Sequence, residues 1–277
     1  MEIITCKNIL EAVAQIKHTK TPIYSNYLPL LGYPPEEKFK GILGKNTVLF
    51  LTKENIVHRI VFYSTDRAEL VELLKACPTG LGLDYASNLI EIEDDFITEA
   101  GFRKIAILQK LVFPDATMSE SELMENEKLR AVYQNRNDDI VEYANEKDID
   151  EIFSMLNKIF NSYIDHLPTK EELLENFIKK EGMLVYREDD KIQAIVGYLL
   201  NGVRMFWIYA INNSGNYKNM SALVVKLRDI ALEKGVKHMH GFLELSETRQ
   251  RAFKYYQRRN TKFADFYNHV YANCDIK

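Results

Sequence analysis

The chain has few cysteines and no long apolar run, and each absence excludes a class of protein. Its 277 residues include three cysteines, Cys6, Cys77 and Cys274, which are far apart and odd in number. Because they form neither a CxxC pair nor a disulfide framework, we expect a reducing compartment, the cytoplasm. No stretch approaches the roughly 18 uninterrupted apolar residues of a membrane helix, and the N-terminus lacks the features of a signal peptide. We therefore expect no association with a membrane.

An excess of positive charge is also missing. The 36 Lys and Arg residues against 40 Asp and Glu residues give a net charge of -4 at pH 7, so the sequence predicts no nucleic-acid partner. His238 and His240 could share one strand face, but no third ligand stands at a suitable spacing, and we expect no metal. The chain has neither a Gly-x-Ser-x-Gly elbow nor a Walker loop.

Composition changes most clearly at residues 114–139, which combine an acidic stretch with a polar one. We interpret this segment as a connector between a domain at 1–113 and a domain at 140–277; an exposed helix within one domain is the alternative. In the second half, Asn145 and Thr169 have the sequence environment of helix N-caps. The first half repeats the order of helices and strands in blurred form, which predicts a divergent internal duplication.

Turn residues predict two hairpins. Asp189-Asp190 separates the strand patterns at 182–188 and 191–201, and Lys53-Glu54-Asn55 separates those at 47–51 and 56–64. Polar turn residues between two alternating apolar runs are typical of antiparallel strand pairs.

The last third of the chain carries its clearest chemical signal. The pattern predicts a strand at Met205–Ile211, a loop at Asn212–Met220, a helix at Ser221–Lys234, a strand at Lys237–Leu245 and a helix at Arg249–Arg259. A helix that begins after a strand presents unpaired N–H groups and the positive end of its dipole to that loop. Since such a terminus binds phosphate, the order predicts a ligand that contains a pyrophosphate.

This order of elements resembles the GNAT acyltransferase superfamily, clearly over residues 140–272 and faintly over the first half. The resemblance implies an α/β (α+β) fold of two tandem domains, the first a degenerate copy, each with a mixed, mostly antiparallel sheet flanked by helices. It also implies an acyl-CoA-dependent N-acyltransferase, most simply an acetyltransferase. Such an enzyme moves an acyl group from acetyl-CoA directly to a primary amine of a small molecule or peptide.

The resemblance assigns the co-substrate to two segments. The family's pyrophosphate loop, Gln/Arg-x-x-Gly-x-Gly/Ala, aligns best with residues 216–221, although neither glycine is kept and a shift by one residue is left open. The implied pyrophosphate-binding residues are Asn216, Tyr217, Lys218, Asn219, Met220 and Ser221. The implied thioester-binding residues are Tyr209, Ala210 and Ile211.

The missing glycines keep other interpretations open. A pantetheine carried by an acyl-carrier protein lacks the distal phosphates of coenzyme A, so a carrier-bound or long-chain acyl donor is an alternative. A second alternative is a GNAT-like binding module without catalysis. The sequence also leaves open whether the protein is a homodimer.

The final helix resembles the family's Asn-x-x-Ala-x-x-x-Tyr-x-x-x-Gly pattern. Here it reads Arg249-x-x-Ala252-x-x-x-Tyr256-x-x-x-Asn260. The resemblance implies that Tyr256 protonates the departing thiolate, and a phenol suits that role because its ordinary pKa of about 10 keeps it protonated at pH 7. Tyr255 is the alternative if the helix phase differs, and a packing role is the alternative for both.

Two further pairs of polar residues are candidates for the site. Glu244 and Glu247, on or just after a strand, could accept the proton that the amine loses, directly or through water. Asp165 and His166 lie in the segment that lines the acceptor pocket in the family, so they could bind the acceptor; a turn before Pro168 is the other interpretation. The sequence does not identify the acceptor, because acceptor pockets are built from variable loops.

Overall fold

The structure is a computed structural model that describes residues 1–17, 23–26, 33–118, 120–125, 141–258 and 261–274. Contacts between residues divide the chain into two units. Unit 1 consists of Met1–Ile107, Ser162–His166 and Phe266–Lys277, and unit 2 consists of Leu108–Asn161 and Leu167–Asp265. Unit 1 therefore combines three segments that are far apart in the chain, whereas the two segments of unit 2 are separated only by residues 162–166.

Unit 1 is a mixed, mostly antiparallel sheet with helices against both faces. Its described elements are β1 (Glu2–Thr5), α1 (Cys6–Lys17), β2 (Tyr24–Ser25), β3 (Lys38–Leu43), β4 (Thr47–Glu54), β5 (Val57–Ser64), α2 (Arg67–Lys75), β6 (Leu81–Ser87), α3 (Asp95–Glu99), the start of β7 (Arg103–Val112) and most of β13 (Lys262–Ala272). The strand order is β1-β3-β4-β5-β6-β13, with β2 beside β5. These pairs are antiparallel except β5 with β6, which are parallel and joined by α2.

Strand β4 illustrates how unit 1 uses consecutive apolar residues. Val48 and Phe50 pack in the same cluster as Ile9 of α1, whereas Leu49 packs in the same cluster as Leu70 of α2. Successive side chains of a strand point to opposite faces. Because helices cover both faces here, β4 carries four consecutive apolar residues at positions 48–51.

Unit 2 has a second mixed sheet. Its described elements are the end of β7, α4 (Glu120–Glu125), β8 (Val141–Tyr143), α5 (Ile149–Ile159), α6 (Lys170–Leu173), β9 (Met183–Glu188), β10 (Lys191–Asn201), β11 (Arg204–Asn212), α7 (Tyr217–Glu233), β12 (His238–Glu244) and α8 (Gln250–Arg258). Short 3-10 turns precede α4, α5 and α8, and a π-helical turn at Leu174–Ile178 extends α6. The strand order is β7-β12-β11-β10-β9-β8. Neighbours are antiparallel except β11 with β12, which are parallel and joined by α7.

The local signals in the sequence are confirmed. Asn145 and Thr169 each form a capping box with the acidic residue three positions later. Asp189 and Asp190 connect β9 to β10 with φ angles of 50° and 60°, a left-handed conformation that Asp tolerates better than most residues. The fold class, α/β (α+β) with mostly antiparallel sheets flanked by helices, is confirmed as well.

One predicted boundary is wrong. The helix expected at Ser221 begins at Tyr217, because the side chain of Asn216 accepts the Lys218 N–H and caps the helix four residues earlier. The loop after β11 is therefore shorter than predicted, and five of the six residues of the expected pyrophosphate loop, 217–221, are helical.

The predicted connector lies partly outside the described residues. Pro114–Thr117 form a 3-10 turn and Glu120–Glu125 form α4, while residues 126–139 and Asn260 of the tyrosine pattern are not described. The predicted boundaries at 113 and 140 stay predictions. No helix in the described part of the chain is long and apolar enough to cross a membrane.

Candidate active site

The parallel strands β11 and β12 of unit 2 run side by side only over their first halves. They are registered from Arg204 opposite His238 to Trp207 opposite Gly241. Further along, β11 stays paired with β10 and β12 stays paired with β7. Among the described residues no later pair joins β11 to β12, so their facing backbone edges can accept an extended ligand as an additional strand.

A β-bulge in β11 accompanies this parting of the strands. The register with β10 shifts between Gly197 and Tyr198, whose partners are Tyr209 and Trp207, so Ile208 is the extra residue. The extra residue changes which face the following side chains occupy. Trp207 packs in the core beneath α7, whereas Tyr209 packs in the core beneath α5 and α6.

Tyr256 of α8 lies on the α7 face of the sheet, where the strands part. Its ring is 5.8 Å from the Trp207 ring and 5.6 Å from the Phe113 ring. Trp207 and Phe113 themselves pack at 5.0 Å. The neighbouring Tyr255 contacts Tyr256 edge-on and packs against the same core. The half-buried Tyr256 phenol is thus held by two buried aromatic rings beside the last paired residue of β11.

The opposite face carries the polar residues of β12. Met239 and Leu243 pack in the core beneath α7, so strand alternation turns His238, His240, Phe242 and Glu244 to the other side. The His240 imidazole packs edge-on against Phe206 at 4.9 Å. Phe242 is 47% exposed, which leaves this face open next to the point where the strands part.

Glu244 and Glu247, the two predicted bases, lie further along that side. Glu244 is paired with Arg249, whose Nε is 3.3 Å from its Oε2. The Arg249 guanidinium stacks 5.6 Å from the Phe160 ring, and Phe160 contacts Tyr209 at 5.7 Å. Glu247 is exposed in the 3-10 turn before α8. Glu244, Glu247 and Arg249 line one shallow cleft with Ser246 and Phe253.

The start of α7 is held by a small network of polar side chains. The Asn212 amide donates to the Asn216 carbonyl at 2.8 Å, and the Ser214 hydroxyl accepts the Asn216 N–H at 3.1 Å. Asn216 accepts the Lys218 N–H at 3.1 Å, and the Asn219 N–H returns to the Asn216 carbonyl at 3.2 Å. Two of the N–H groups at this helix terminus are therefore already bonded within the cap.

The predicted pyrophosphate-binding residues separate into exposed and buried sets. Tyr217 is 58% exposed and the Lys218 side chain is also exposed, whereas Asn219, Met220 and Ser221 are buried. The Asn219 Oδ1 and Ser221 Oγ atoms have no hydrogen-bond partner among the described residues. Asn219 Oδ1 can only accept a hydrogen bond, so an anion would be bound by the exposed backbone and by Lys218 at this terminus rather than by these buried atoms. With the helix dipole and the Lys218 ammonium, its residues fit an anionic group.

The backbone segment predicted to hold the thioester lies beyond the bulge. Ala210 packs toward α7, and Tyr209 and Ile211 pack toward α5 and α6. The Trp207 indole N–H donates to the Tyr209 carbonyl at 3.0 Å. The structure therefore brings Tyr209, Tyr256, Glu244 and the start of α7 into one unit, around one sheet.

Asp165 and His166 belong to unit 1 instead. His166 Nδ1 is 2.6 Å from Glu54 Oε2, and Nε2 is 3.5 Å from Asp84 Oδ1. Burial lowers the pKa of His166, but hydrogen bonds to Asp84 and Glu54 outweigh it and raise the pKa to about 9. Both imidazole nitrogens are thus directed at carboxylates, and the half-buried Asp165 lies beside them in sequence.

Arg59 completes this cluster of unit 1. Its side chain is 4% exposed, and it donates to Glu54 at 2.5 Å and to Asp84 at 2.7 Å. The same guanidinium donates to the carbonyls of Ser162 and Tyr163. Two cations and two carboxylates therefore hold the segment Ser162–His166 in place.

Sequence reasoning missed two residues of the candidate site. Trp207 carried no signal beyond an apolar strand position, since its contact with Tyr256 depends on tertiary structure. The sequence offers His240 only as a possible metal ligand, although strand alternation places it on the same face as Glu244. In the described part of the chain, His, Cys, Asp and Glu side chains form no group of three that could hold a metal.

Comparisons with known proteins identify the fold. No family model matches the chain, and no curated protein matches it. A GCN5-related N-acetyltransferase from Sphaerobacter thermophilus is 11% identical, with a TM-score of 0.51 over 83% of this chain and 81% of that one. A GNAT-family acetyltransferase from Colwellia psychrerythraea is 12% identical, with a TM-score of 0.51 over 98% and 99%. Saccharomyces cerevisiae N-myristoyltransferase with bound myristoyl-CoA is 13% identical, with a TM-score of 0.51 over 98% and 78%. The chain therefore has the fold of GNAT-type acyltransferases.

Proposed function

We propose that the protein is an acyl-CoA-dependent N-acyltransferase, most simply an acetyltransferase, that acts on a primary amine of a small molecule or peptide. One observation carries this proposal: the parallel strands β11 and β12 part after Trp207 and Gly241, and Tyr256 packs against Trp207 at that point. A thioester held between the strands would lie beside a phenol that can donate a proton.

The donor would use both predicted segments. The pantetheine arm would extend along the open edge of β11, bonded to the backbone of Tyr209, Ala210 and Ile211. The pyrophosphate would lie at the start of α7, near the Tyr217 N–H and the Lys218 ammonium. The buried Asn219, Met220 and Ser221 would shape this cap from inside without side-chain contact to the ligand.

The proposed reaction is direct transfer in a ternary complex. The neutral amine attacks the thioester carbonyl carbon, and backbone N–H groups of β11 stabilise the oxyanion that forms. The C–S bond then breaks, and the thiolate takes its proton from the Tyr256 hydroxyl. Because both substrates are held together, much of the rate enhancement would come from their positioning.

We infer that unit 1 is a degenerate copy of unit 2, which gives the tandem arrangement predicted from sequence. The inference is supported by their element orders, β1-α1-β3-β4-β5-α2-β6 and β8-α5-α6-β9-β10-β11-α7-β12. In both, a helix joins the one parallel strand pair of the described sheet. Only Thr65 and Asp66 separate β5 from α2, which is too short a loop to hold a pyrophosphate.

Donor binding is tested by thermal unfolding with millimolar acetyl-CoA and, separately, coenzyme A. A ligand at 100 times its Kd stabilises the folded state by about 2.7 kcal/mol, which should raise the Tm by several degrees. A Tm that neither ligand changes would contradict binding at the start of α7.

Catalysis is tested by thiol release from acetyl-CoA in the presence of a panel of primary amines. Tyr256→Phe keeps the ring contacts with Trp207 and Phe113 but removes the proton, so turnover should fall on the order of 100-fold or more with little change in Tm. Tyr255→Phe is the matched control and should keep its turnover. Equal turnover for Tyr256→Phe and the wild type would remove Tyr256 from the mechanism.

A carrier-bound acyl donor is the second candidate, and the cap of α7 favours it. The N–H groups of Lys218 and Asn219 are bonded within the cap, which leaves fewer donors for the phosphates of coenzyme A. An acyl-carrier protein would present the pantetheine without the distal nucleotide. Comparing thiol release from acetyl-CoA, myristoyl-CoA and an acetylated carrier protein separates the donors, and no release from any of them would favour a binding module.

A further inference from the structure

We propose that His240 is the general base that deprotonates the acceptor amine, so that the two faces of the unit 2 sheet supply the base and the acid. This inference rests on the proposed function, because it concerns the same transfer reaction. It adds a catalytic residue other than Glu244 and Glu247.

Position in the strand is the first reason. His240 is paired with Phe206, one residue before the last registered pair, Trp207 with Gly241. One residue of a strand spans about 3.3 Å, so His240 lies next to the point where the thioester would be held. Its side chain is on the face opposite Tyr256.

The arrangement across the sheet suits acyl transfer. An amine that attacks the carbonyl carbon approaches one face of the planar thioester, and the acid must reach the sulfur that leaves. Tyr256 lies on the α7 face with Trp207, whereas Phe242 next to His240 is 47% exposed on the other face. The acceptor would therefore enter from the His240 side while the donor sulfur lies near Tyr256.

The surroundings of His240 keep its imidazole able to accept a proton. Burial lowers the pKa of His240, and the positive charges of Lys110, Arg204 and His238 lower it further. Lys110 is on β7, Arg204 on β11 and His238 on β12, so basic groups act on the ring from its own strand and from both neighbouring strands. In the described part of the chain the ring makes no hydrogen bond, and its edge contact with Phe206 orients it.

The two glutamates are less well placed for this step. Glu244 is four residues beyond His240, about 13 Å further along an extended strand. Its carboxylate is also engaged by Arg249, whose Nε lies 3.3 Å from Oε2, so it is directed away from an incoming amine. Glu247 lies still further on, exposed in a turn.

The proton balance of the step is simple. The acceptor enters as an ammonium ion and gives one proton to an imidazole nitrogen of His240; the neutral amine then forms the C–N bond as the C–S bond breaks. Tyr256 protonates the thiolate, and the extra proton on the amide nitrogen returns through water to the Tyr256 phenolate. His240 then releases its own proton to solvent, which leaves one proton released per turnover. The basic residues around His240 would disfavour a second cation nearby, so an α-amino group, with a pKa of about 8, is favoured over a lysine side chain.

The test compares His240→Gln with the wild type and with His238→Gln, the matched histidine on the same strand face. Thiol release from acetyl-CoA is followed with glycinamide, N-acetyl-lysine amide and aniline as acceptors, across pH 5 to 9. We expect His240→Gln to lower kcat at least 100-fold. The KM for acetyl-CoA, and the rise in Tm that acetyl-CoA produces, should stay within a factor of two of the wild-type values. His238→Gln should stay close to the wild type.

Two further measurements show whether the role of His240 is chemical. The acidic limb of the wild-type pH profile should disappear in His240→Gln, and added imidazole should partly restore His240→Ala. The opposite result would be an acidic limb that is lost in Glu244→Gln but kept in His240→Gln. That result would overturn the inference and identify Glu244 as the base. If the wild type is active and His240→Gln has the same kcat, the inference is also overturned. A wild type without thiol release for any acceptor would overturn the proposed function and this inference with it.

Discussion

Replacing His166 with Gln tests whether this residue holds unit 1 together or binds an acceptor. In the structure its two ring nitrogens face Glu54 at 2.6 Å and Asp84 at 3.5 Å. The protonated ring balances two carboxylates that also contact the buried Arg59. Glutamine keeps a polar side chain of similar size but cannot carry the charge, so the variant isolates the contribution of the proton.

The magnitude follows from the pKa of His166, which is raised from 6.5 to about 9. One pKa unit corresponds to about 1.4 kcal/mol, so full coupling would give roughly 3.4 kcal/mol. The side chain is 41% exposed, and solvent screens exposed charges, so we expect about 1 to 2 kcal/mol. Because the folded-state pKa is the higher one, this stability is fully present below pH 6.5 and is lost as pH rises through about 9.

The assay is thermal unfolding of the wild type and His166→Gln between pH 6 and 10. The variant should melt several degrees lower at pH 6, and the difference should vanish near pH 10. His58→Gln, which replaces an exposed histidine of the same unit, should follow the wild type at every pH. Identical melting of His166→Gln and the wild type at pH 6, together with a raised acceptor KM, would refute this reasoning and favour acceptor binding.

Three other predictions follow from packing, capping and thiol burial. Gly197→Ala would bring a Cβ within 2.9 Å of the Tyr209 ring and should cost about 1 to 3 kcal/mol, measured by urea unfolding; an unchanged midpoint would show that the ring can move aside. Asn216→Ala removes the side chain that caps α7 and should cost about 1 kcal/mol; a stability within experimental error of the wild type would contradict the cap. Burial raises the pKa of the Cys77 thiol to about 11. Cys77 should therefore react with iodoacetamide at pH 8 far more slowly than Cys274, as measured by mass spectrometry of peptides. Comparable reaction rates for the two cysteines would contradict the burial of Cys77.

Tyr256 and His240 are held by different contacts, so their proposed roles can be tested independently. Tyr256 is fixed by ring contacts on one face of the sheet, and His240 is fixed by strand register and Phe206 on the other. A variant on either face should therefore alter turnover without displacing the donor. Such independence is expected for side chains that share no contacts.

Features that depend on a few neighbouring residues could be predicted from the sequence. The capping boxes at Asn145 and Thr169 and the turn at Asp189-Asp190 need only residues within three positions. The α/β class likewise follows from the alternation of periodicities of two and 3.6 residues. The predicted start of α7 is four residues too late, because the Asn216 side chain caps the helix and the burial of Asn219 and Met220 in its first turn depends on tertiary packing.

The order of the elements and the helix caps follow from the sequence, since they depend on local chemistry and spacing, and the resemblance of the last helix to the GNAT pattern selects Tyr256. Tertiary structure alone decided where β11 and β12 part, which face each side chain of β12 occupies, and that His166 faces Glu54 and Asp84. It also decided long-range pairs such as Asn268 with Asp84, which are 184 positions apart. Such contacts depend on the packing of the whole chain, because no local pattern encodes which distant strand edge a residue will meet.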